Sequence, residues 1–239
     1  MSILYQMQKG VATITLNRPG SRNALNLEMC KELIQAAGAV SSDASVKVLL
    51  VRATGPAFCA GADLKERQGM DERRVRERRM AGFAAYAALE ALSMPSVAVV
   101  EGPAVGSGCE IAGACDFIVA TPAASFRTPE ALRGTVGATQ RLARVIGKRL
   151  AKDLMFTGRT LSAEEARDAG LVSRLVSPLD LESVLQEIIK TIIQAPAHSL
   201  RLAKRCLDRG VELDPKGALD TEIVAIEEQL ASGTWMGKR

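Results

Sequence analysis

The chain has a single histidine among its 239 residues, and His198 alone supplies neither a His-rich metal site nor a Ser-His-Asp triad. It lies in Ala195-Pro196-Ala197-His198-Ser199, a helix entry, and reads as structural. Aromatic residues are also scarce, at 3% against 47% hydrophobic overall, so the core must come from Ala, Val, Leu and Ile, as in a helix-rich α/β protein. The five cysteines fall at irregular spacing without a Cys-x-x-Cys pair, which excludes a zinc ribbon and a disulfide framework and predicts reduced, buried thiols. No apolar run approaches the length of a membrane span, and Met1-Ser2-Ile3-Leu4-Tyr5 lacks the zones of a secretory signal. The expectation is a soluble, cytoplasmic protein with no membrane partner. Its net charge of +4 suits an anionic ligand without requiring nucleic acid.

What is present reads as strands first and helices last. Alternation of Ala12, Ile14 and Leu16 with Val11, Thr13 and Thr15 predicts a hairpin over residues 3–16, turning at Lys9-Gly10. Asn26 caps a helix to about Val40, with Leu27, Cys30, Leu33, Ile34 and Ala37 on one face. Buried strands are expected over 46–51, 96–100 and 115–120, a helix over 71–92, and a short helix from about Gly108. Beyond Glu130 the spacing predicts a helix from Ala138 to Ile146 ending at Gly147. Ser162-Ala163-Glu164-Glu165 is a capping box, its helix stopping at Gly170, and Asp214-Pro215 opens the last helix.

Two segments carry chemistry. Phe58-Cys59-Ala60-Gly61-Ala62-Asp63-Leu64-Lys65 and Gly106-Ser107-Gly108-Cys109-Glu110 are small-residue turns that each leave a strand and enter a helix. Such turns bring main-chain N–H groups close to a ligand, as a developing oxyanion requires. If Gly108 opens a helix, the Ser107 N–H also sits at its positive end. Glu110 lies just inside that helix and Glu130 follows in Phe126-Arg127-Thr128-Pro129-Glu130. Two donors and two acids suggest chemistry on a thioester: Glu110 to take a proton from water, Glu130 to protonate Cα. Asp63 also reads as the N-cap of Leu64-Lys65-Glu66.

Asn17 to Asn26, Ala57 to Glu66, Val105 to Ala112, Cys115-Asp116 and Thr139-Gln140-Arg141-Leu142, in that order, resemble the crotonase superfamily of enoyl-CoA hydratases and isomerases over roughly residues 3–232. The resemblance implies an α/β fold of repeated ββα units wound into a spiral. Residues 1–185 would form the core with the acyl-CoA site, and residues 186–239 a helical region that mediates homotrimers, often paired into hexamers. It also implies an acyl-CoA thioester as ligand and no cofactor beyond the coenzyme A of the substrate. Carried over by position, the N–H groups of Ala62 and Ser107 form the oxyanion hole. Glu110 and Glu130 are the hydratase carboxylates, and Ala24, Ala60, Asp63, Leu64 and Lys65 lie along the CoA.

The favoured activity is hydration of a trans-2-enoyl-CoA. Isomerisation or thioester hydrolysis by the same turns is the alternative within the family. The chain departs from the family pattern in Ser107, where glycine is usual, and in Gly134 to Thr139, which is about three residues shorter than the usual loop. It also stops soon after Trp235, which is expected to anchor packing or an oligomer. The run Arg73-Arg74-Val75-Arg76-Glu77-Arg78-Arg79 raises an RNA-binding reading, but Glu77 interrupts it and no aromatic residue interleaves. It is expected to be a solvated helix face, with the further option that one or two of its arginines meet CoA phosphates together with Lys65.

Overall fold

The computed structural model describes residues 1–233; Trp235 lies outside them. The N-terminal alternation makes a hairpin of β1 (Ile3–Gln8) and β2 (Val11–Leu16), and Lys9 and Gly10 both take positive φ at its tip. Asn26 starts α1 (Leu27–Ser42) by accepting from the Met29 N–H at 2.9 Å. There follow β3 (Val48–Ala53), α2 (Leu64–Arg67), α3 (Glu72–Glu90), β4 (Ser96–Val100), β5 (Pro103–Val105), α4 (Ser107–Gly113), β6 (Phe117–Ala120) and β7 (Ser125–Arg127). A 3-10 turn at Ala131–Arg133 precedes α5 (Arg141–Thr157), β8 (Leu161–Ser162), α6 (Ala163–Asp168) and β9 (Arg174–Leu175). Helices α7 (Leu181–Gln194), α8 (Ala197–Gly210) and α9 (Pro215–Ser232) complete the order.

The main sheet runs β1-β2-β3-β4-β6-β9, antiparallel only at the first pair, while β5-β7-β8 make a second, smaller sheet. Successive residues of the central strands serve opposite faces, as strand geometry demands. Leu49, Val51, Ala98, Val100 and Ile118 join the principal core with Met29, Cys30, Leu33 and Val40 of α1. Val48, Leu50, Val97, Val99 and Val119 pack on Leu181, Leu185, Ile188 and Ile189 of α7. Both faces are therefore covered, which explains the unbroken β-branched runs. The boundary expected at residue 185 falls within α7. No helix among the described residues is long and apolar enough to cross a membrane.

The helix expected over 138–146 begins later, at Arg141, because Ala138 adopts φ 54°, and it stops at Gly147 as expected. Gly147 takes φ 78° and ψ 154°, which is not helical, and a second helical stretch then runs to Thr157, so α5 is two helices joined at a kink. The capping box at Ser162 and Glu165 is present, with both reciprocal bonds made. Four cysteines are buried and Cys206 is half-buried, none in a disulfide.

The run of arginines is only partly solvated. Arg73, Arg74 and Arg76 are exposed, but Arg78 is buried, donating from Nε to Glu66 at 3.1 Å and from Nη2 to the Leu25 carbonyl. Glu66 in turn accepts from the Leu27 N–H at 2.9 Å. An inward-facing arginine thus fastens α3 to the start of α1. A helix face counted as solvent-facing by its charge conceals this tie.

Candidate active site

The second sheet exists to bring distant turns together. Residues 57–62 run beside it as a strand-like edge: Val105 N–H donates to the Cys59 carbonyl at 2.8 Å, and Cys59 pairs in parallel with Ala104. On its other side the Leu25 N–H donates to the Gly61 carbonyl at 2.7 Å, the Asp63 N–H donates to the Leu25 carbonyl at 2.9 Å, and Leu25 pairs with Ala62. Glycine is required where this edge meets α4, since a Cβ on Gly108 would stand 2.5 Å from the Cys59 carbonyl oxygen. The pairing consumes the amides on either side of Ala62. Among the described residues, neither the Ala62 N–H nor the Ser107 N–H donates to another protein group. Both residues line one cavity of about 100 Å³, together with Glu110 and Glu130.

The first carboxylate is carried by α4, a buried helix. Glu110 is 5% exposed. Burial pushes its carboxyl above the usual range, the Arg141 guanidinium beside it pulls the other way, and the charge of Glu90 adds to the rise. Its Oε2 accepts from Arg141 Nη1 at 2.6 Å, and Oε1 has no hydrogen-bond partner among the described residues.

The second carboxylate arrives by β7, which pairs in parallel with β5 and places the Arg127 carbonyl under the Gly106 N–H at 2.8 Å. Glu130 then precedes the 3-10 turn, its carbonyl accepting from the N–H groups of Arg133 and Thr135, each at 3.0 Å. Its side chain lies against Gly106, where φ is 50°: a Cβ there would stand 2.2 Å from Glu130 Oε1. Its Oε2 is buried without a hydrogen-bond partner among the described residues. Burial raises its carboxyl above the ordinary value and the charge of Glu110 adds to that, against weaker opposition from its own main chain and Arg133. The two acids thus share a cavity, but only one has a cation bound to it.

The remaining sequence candidates lie off this cavity. Asp63 is 8% exposed and fully engaged. It caps α2 through the Lys65 N–H at 3.1 Å and the Glu66 N–H at 3.3 Å, and it pairs with Arg18 at 3.0 Å. Leu64 is 50% exposed, Lys65 is exposed, and Ala24 and Ala60 are half-buried. The Ala60 N–H donates to the Arg22 carbonyl at 2.9 Å. Val75, Arg78, Arg79, Phe83 and Tyr86, on one side of α3, wall the cavity instead. Helical spacing alone gave α3 no reason to face the two turns. The Ser107 side chain faces the Tyr86 phenol, whose pKa burial drives well above the usual value. Arg79 donates to the Val136 carbonyl, tying the short 134–139 loop over the opening. His198 sits in the first turn of α8, away from the site, its Nε2 buried and without a hydrogen-bond partner among the described residues. No cluster of His, Cys, Asp and Glu among the described residues could hold a metal ion.

A sequence model of the enoyl-CoA hydratase/isomerase family matches residues 6–233. This chain belongs to that family. It is 35% identical over 231 residues to the short-chain-enoyl-CoA hydratase of Clostridium acetobutylicum, covering 95% of this chain and 88% of the relative. It is 34% identical over 225 residues to the crotonyl-CoA hydratase of Syntrophomonas wolfei, covering 92% and 86%. The crystal structure of enoyl-CoA hydratase from Bacillus anthracis superposes with a TM-score of 0.91 at 36% identity, over 95% of this chain and 90% of that one. The crotonase-type spiral expected from the sequence is the fold of this enoyl-CoA hydratase/isomerase family member.

Proposed function

We propose that the protein is an enoyl-CoA hydratase that adds water reversibly across the double bond of a trans-2-enoyl-CoA. The observation that carries this reading is the pair of unspent main-chain donors, Ala62 and Ser107, in one cavity with Glu110 and Glu130. A thioester oxygen seated between the two N–H groups gains charge as water adds at Cβ. Donors fixed in advance stabilise that enolate without reorganising, and losing one costs about 3 to 4 kcal/mol of barrier. Glu110 Oε1 takes a proton from the water as its oxygen bonds Cβ, and Glu130 delivers a proton to Cα. Proton balance is kept and no electron leaves the system, so the reaction calls on no redox cofactor.

The acid and base assignments follow from what each carboxylate touches. Glu110 has a cation on Oε2 and is the better base, whereas Glu130 has an orphaned buried oxygen and is the better proton donor. The small cavity, walled by Phe83, Tyr86, Val75 and Val136, suits a short acyl chain. The CoA body would leave past Ala24, Ala60, Asp63, Leu64 and Lys65. Residues 186–239 would carry the trimer contacts, or those of a dimer of trimers, to which the exposed Leu207, Ile223 and Leu230 of the last two helices are suited. A cytoplasmic location accords with this chemistry.

The test is a panel of short, long, branched and aromatic trans-2-enoyl-CoAs, followed by loss of the conjugated thioester absorbance. Short substrates should turn over fastest, and Glu110→Gln and Glu130→Gln should each lose at least about a hundredfold. A flat trace across the panel, or near-normal turnover by both variants, overturns the reading.

A further inference from the structure

Arg141 begins α5, at the far end of the short loop, and reaches back to α4 and α3 at once. Nη1 donates to Glu110 Oε2 at 2.6 Å, Nε donates to Glu90 Oε1 at 3.1 Å, and Nη2 bonds Glu90 Oε2. Its guanidinium carbon also stands 5.9 Å from the centre of the Tyr86 ring. The Arg141 Cβ lies 3.7 Å from the point where a side chain on Gly113 would begin, ordinary packing distance from the end of α4. The side chains of Arg141 and Glu110 are 18% and 7% exposed, while that of Glu90 is 53% exposed. The fork therefore joins a solvated carboxylate to a buried one.

We propose that Arg141 is the positioning residue of the active site: it clamps Oε2 of Glu110, leaving Oε1 free for the attacking water, while Glu90 holds the guanidinium from outside. This rests on the reading of Glu110 as the base. The planar fork suits the task because three of its nitrogens are used in fixed directions on two partners. Arg141 also favours the charged form of the base against burial. The titratable groups facing Glu110 are Arg141 from α5, Glu90 and Tyr86 from α3, Glu130 from the turn after β7, and Cys109 beside it on α4. β4, β5 and β6, which also pack on α4, present no titratable side chain to it. Among the described residues no other cation forms an ion pair with Glu110. Removing Arg141 therefore leaves burial and neighbouring negative charge to protonate the base. Removing the charge of Glu90 has the opposite sign for protonation but releases the clamp.

The experiment is the pH dependence of kcat and KM for wild type, Arg141→Met, Arg141→Lys and Glu90→Gln on a short enoyl-CoA. Arg141→Met should lower kcat about a hundredfold near neutral pH with little change in KM, and its acid limb should move to higher pH, so that raising the pH restores part of the loss. Arg141→Lys should move the limb less. Glu90→Gln should lower kcat severalfold while its limb moves to lower pH. A uniform loss in Arg141→Met at every pH, or limbs that move together in Arg141→Met and Glu90→Gln, overturns the proposal. If the wild type hydrates no enoyl-CoA, it is the functional reading that falls, and the clamp is then read directly. The carboxyl band of Glu110, identified in infrared titration by its loss in Glu110→Gln, should titrate at higher pH in Arg141→Lys than in wild type. An unmoved band overturns the clamp.

Discussion

The two carboxylates that meet in the cavity come from regions built in opposite ways. α4 is buried on nearly every side, and Glu110 projects from it with an arginine already bound. The 128–138 segment is a single 3-10 turn and a loop whose Val136 is 73% exposed, yet Glu130 itself reaches a dry spot against Gly106 with one oxygen unpaired. Burial raises both carboxyls, but the arginine on Glu110 favours its charged form, and among the described residues Glu130 has no ion-pair partner to do the same. The proposed hydration uses one as base and the other as acid. The fold separates them by scaffold rather than by residue type, since both are glutamates.

Disturbing the loop side at its contact with the helix side should have the largest effect. Gly106→Ala places a methyl group where Glu130 Oε1 now lies and forces a side chain into positive φ. Glu130, the proposed proton donor, is displaced and the Ser107 amide tilted, and hydration should fall by about a hundredfold or more while circular dichroism stays native. Wild-type rates in this variant would show that the proton donor need not touch the turn. A smaller effect is expected from Arg79→Ala, which frees the Val136 carbonyl and loosens the loop without touching α4. kcat/KM should drop about tenfold, with the acid limb of the pH profile unmoved because Glu110 keeps its clamp. A shifted limb would mean that loop and helix are not independent.

The smallest effect concerns stability. The Glu130 carboxyl is raised in the folded protein, so the fold favours its protonated form. That preference stabilises below the unfolded carboxyl's ordinary titration and is lost as pH rises through the folded value. Glu130→Gln removes the cost, at neutral pH, of folding a carboxyl that is ionised when unfolded and whose charged form burial disfavours. The variant should melt about 2 to 4 °C higher than wild type at pH 7, and the gap should close as the pH falls toward 4. A variant that melts lower at pH 7 would place Glu130 among the stabilising groups and erase the contrast with Glu110.

How far these regions could be read from sequence follows from the range of the forces that make them. The hairpin, α1 and the caps at Asn26, Ser162 and Asp214 are local, set by alternation or by a side chain reaching its own next turn. β4 matched its expected limits because five buried residues in a row leave no other element. By contrast β5, β7 and β8 are two or three residues long, and they exist only because residues 59, 104 and 126 lie side by side in space. Spacing cannot announce such pairs. The small-residue turns drew attention to Ala62 and Ser107 because such turns bring main-chain N–H groups close to a ligand. Arg141 was visible only as part of a motif; its partners are 31 and 51 positions away. Arg78 was hidden by its neighbours, since one inward arginine among outward ones leaves the helical pattern unchanged.

Cys59 occupies the seam where residues 25, 62 and 104 are stitched together, fully enclosed, its thiol pushed up to about 12. A sulfhydryl so placed is inert toward alkylating reagents while the seam is closed. Because that seam also holds the Ala62 amide in line, the modification rate at Cys59 is a clock for how often the proposed enolate cradle comes apart, readable with no substrate in the tube.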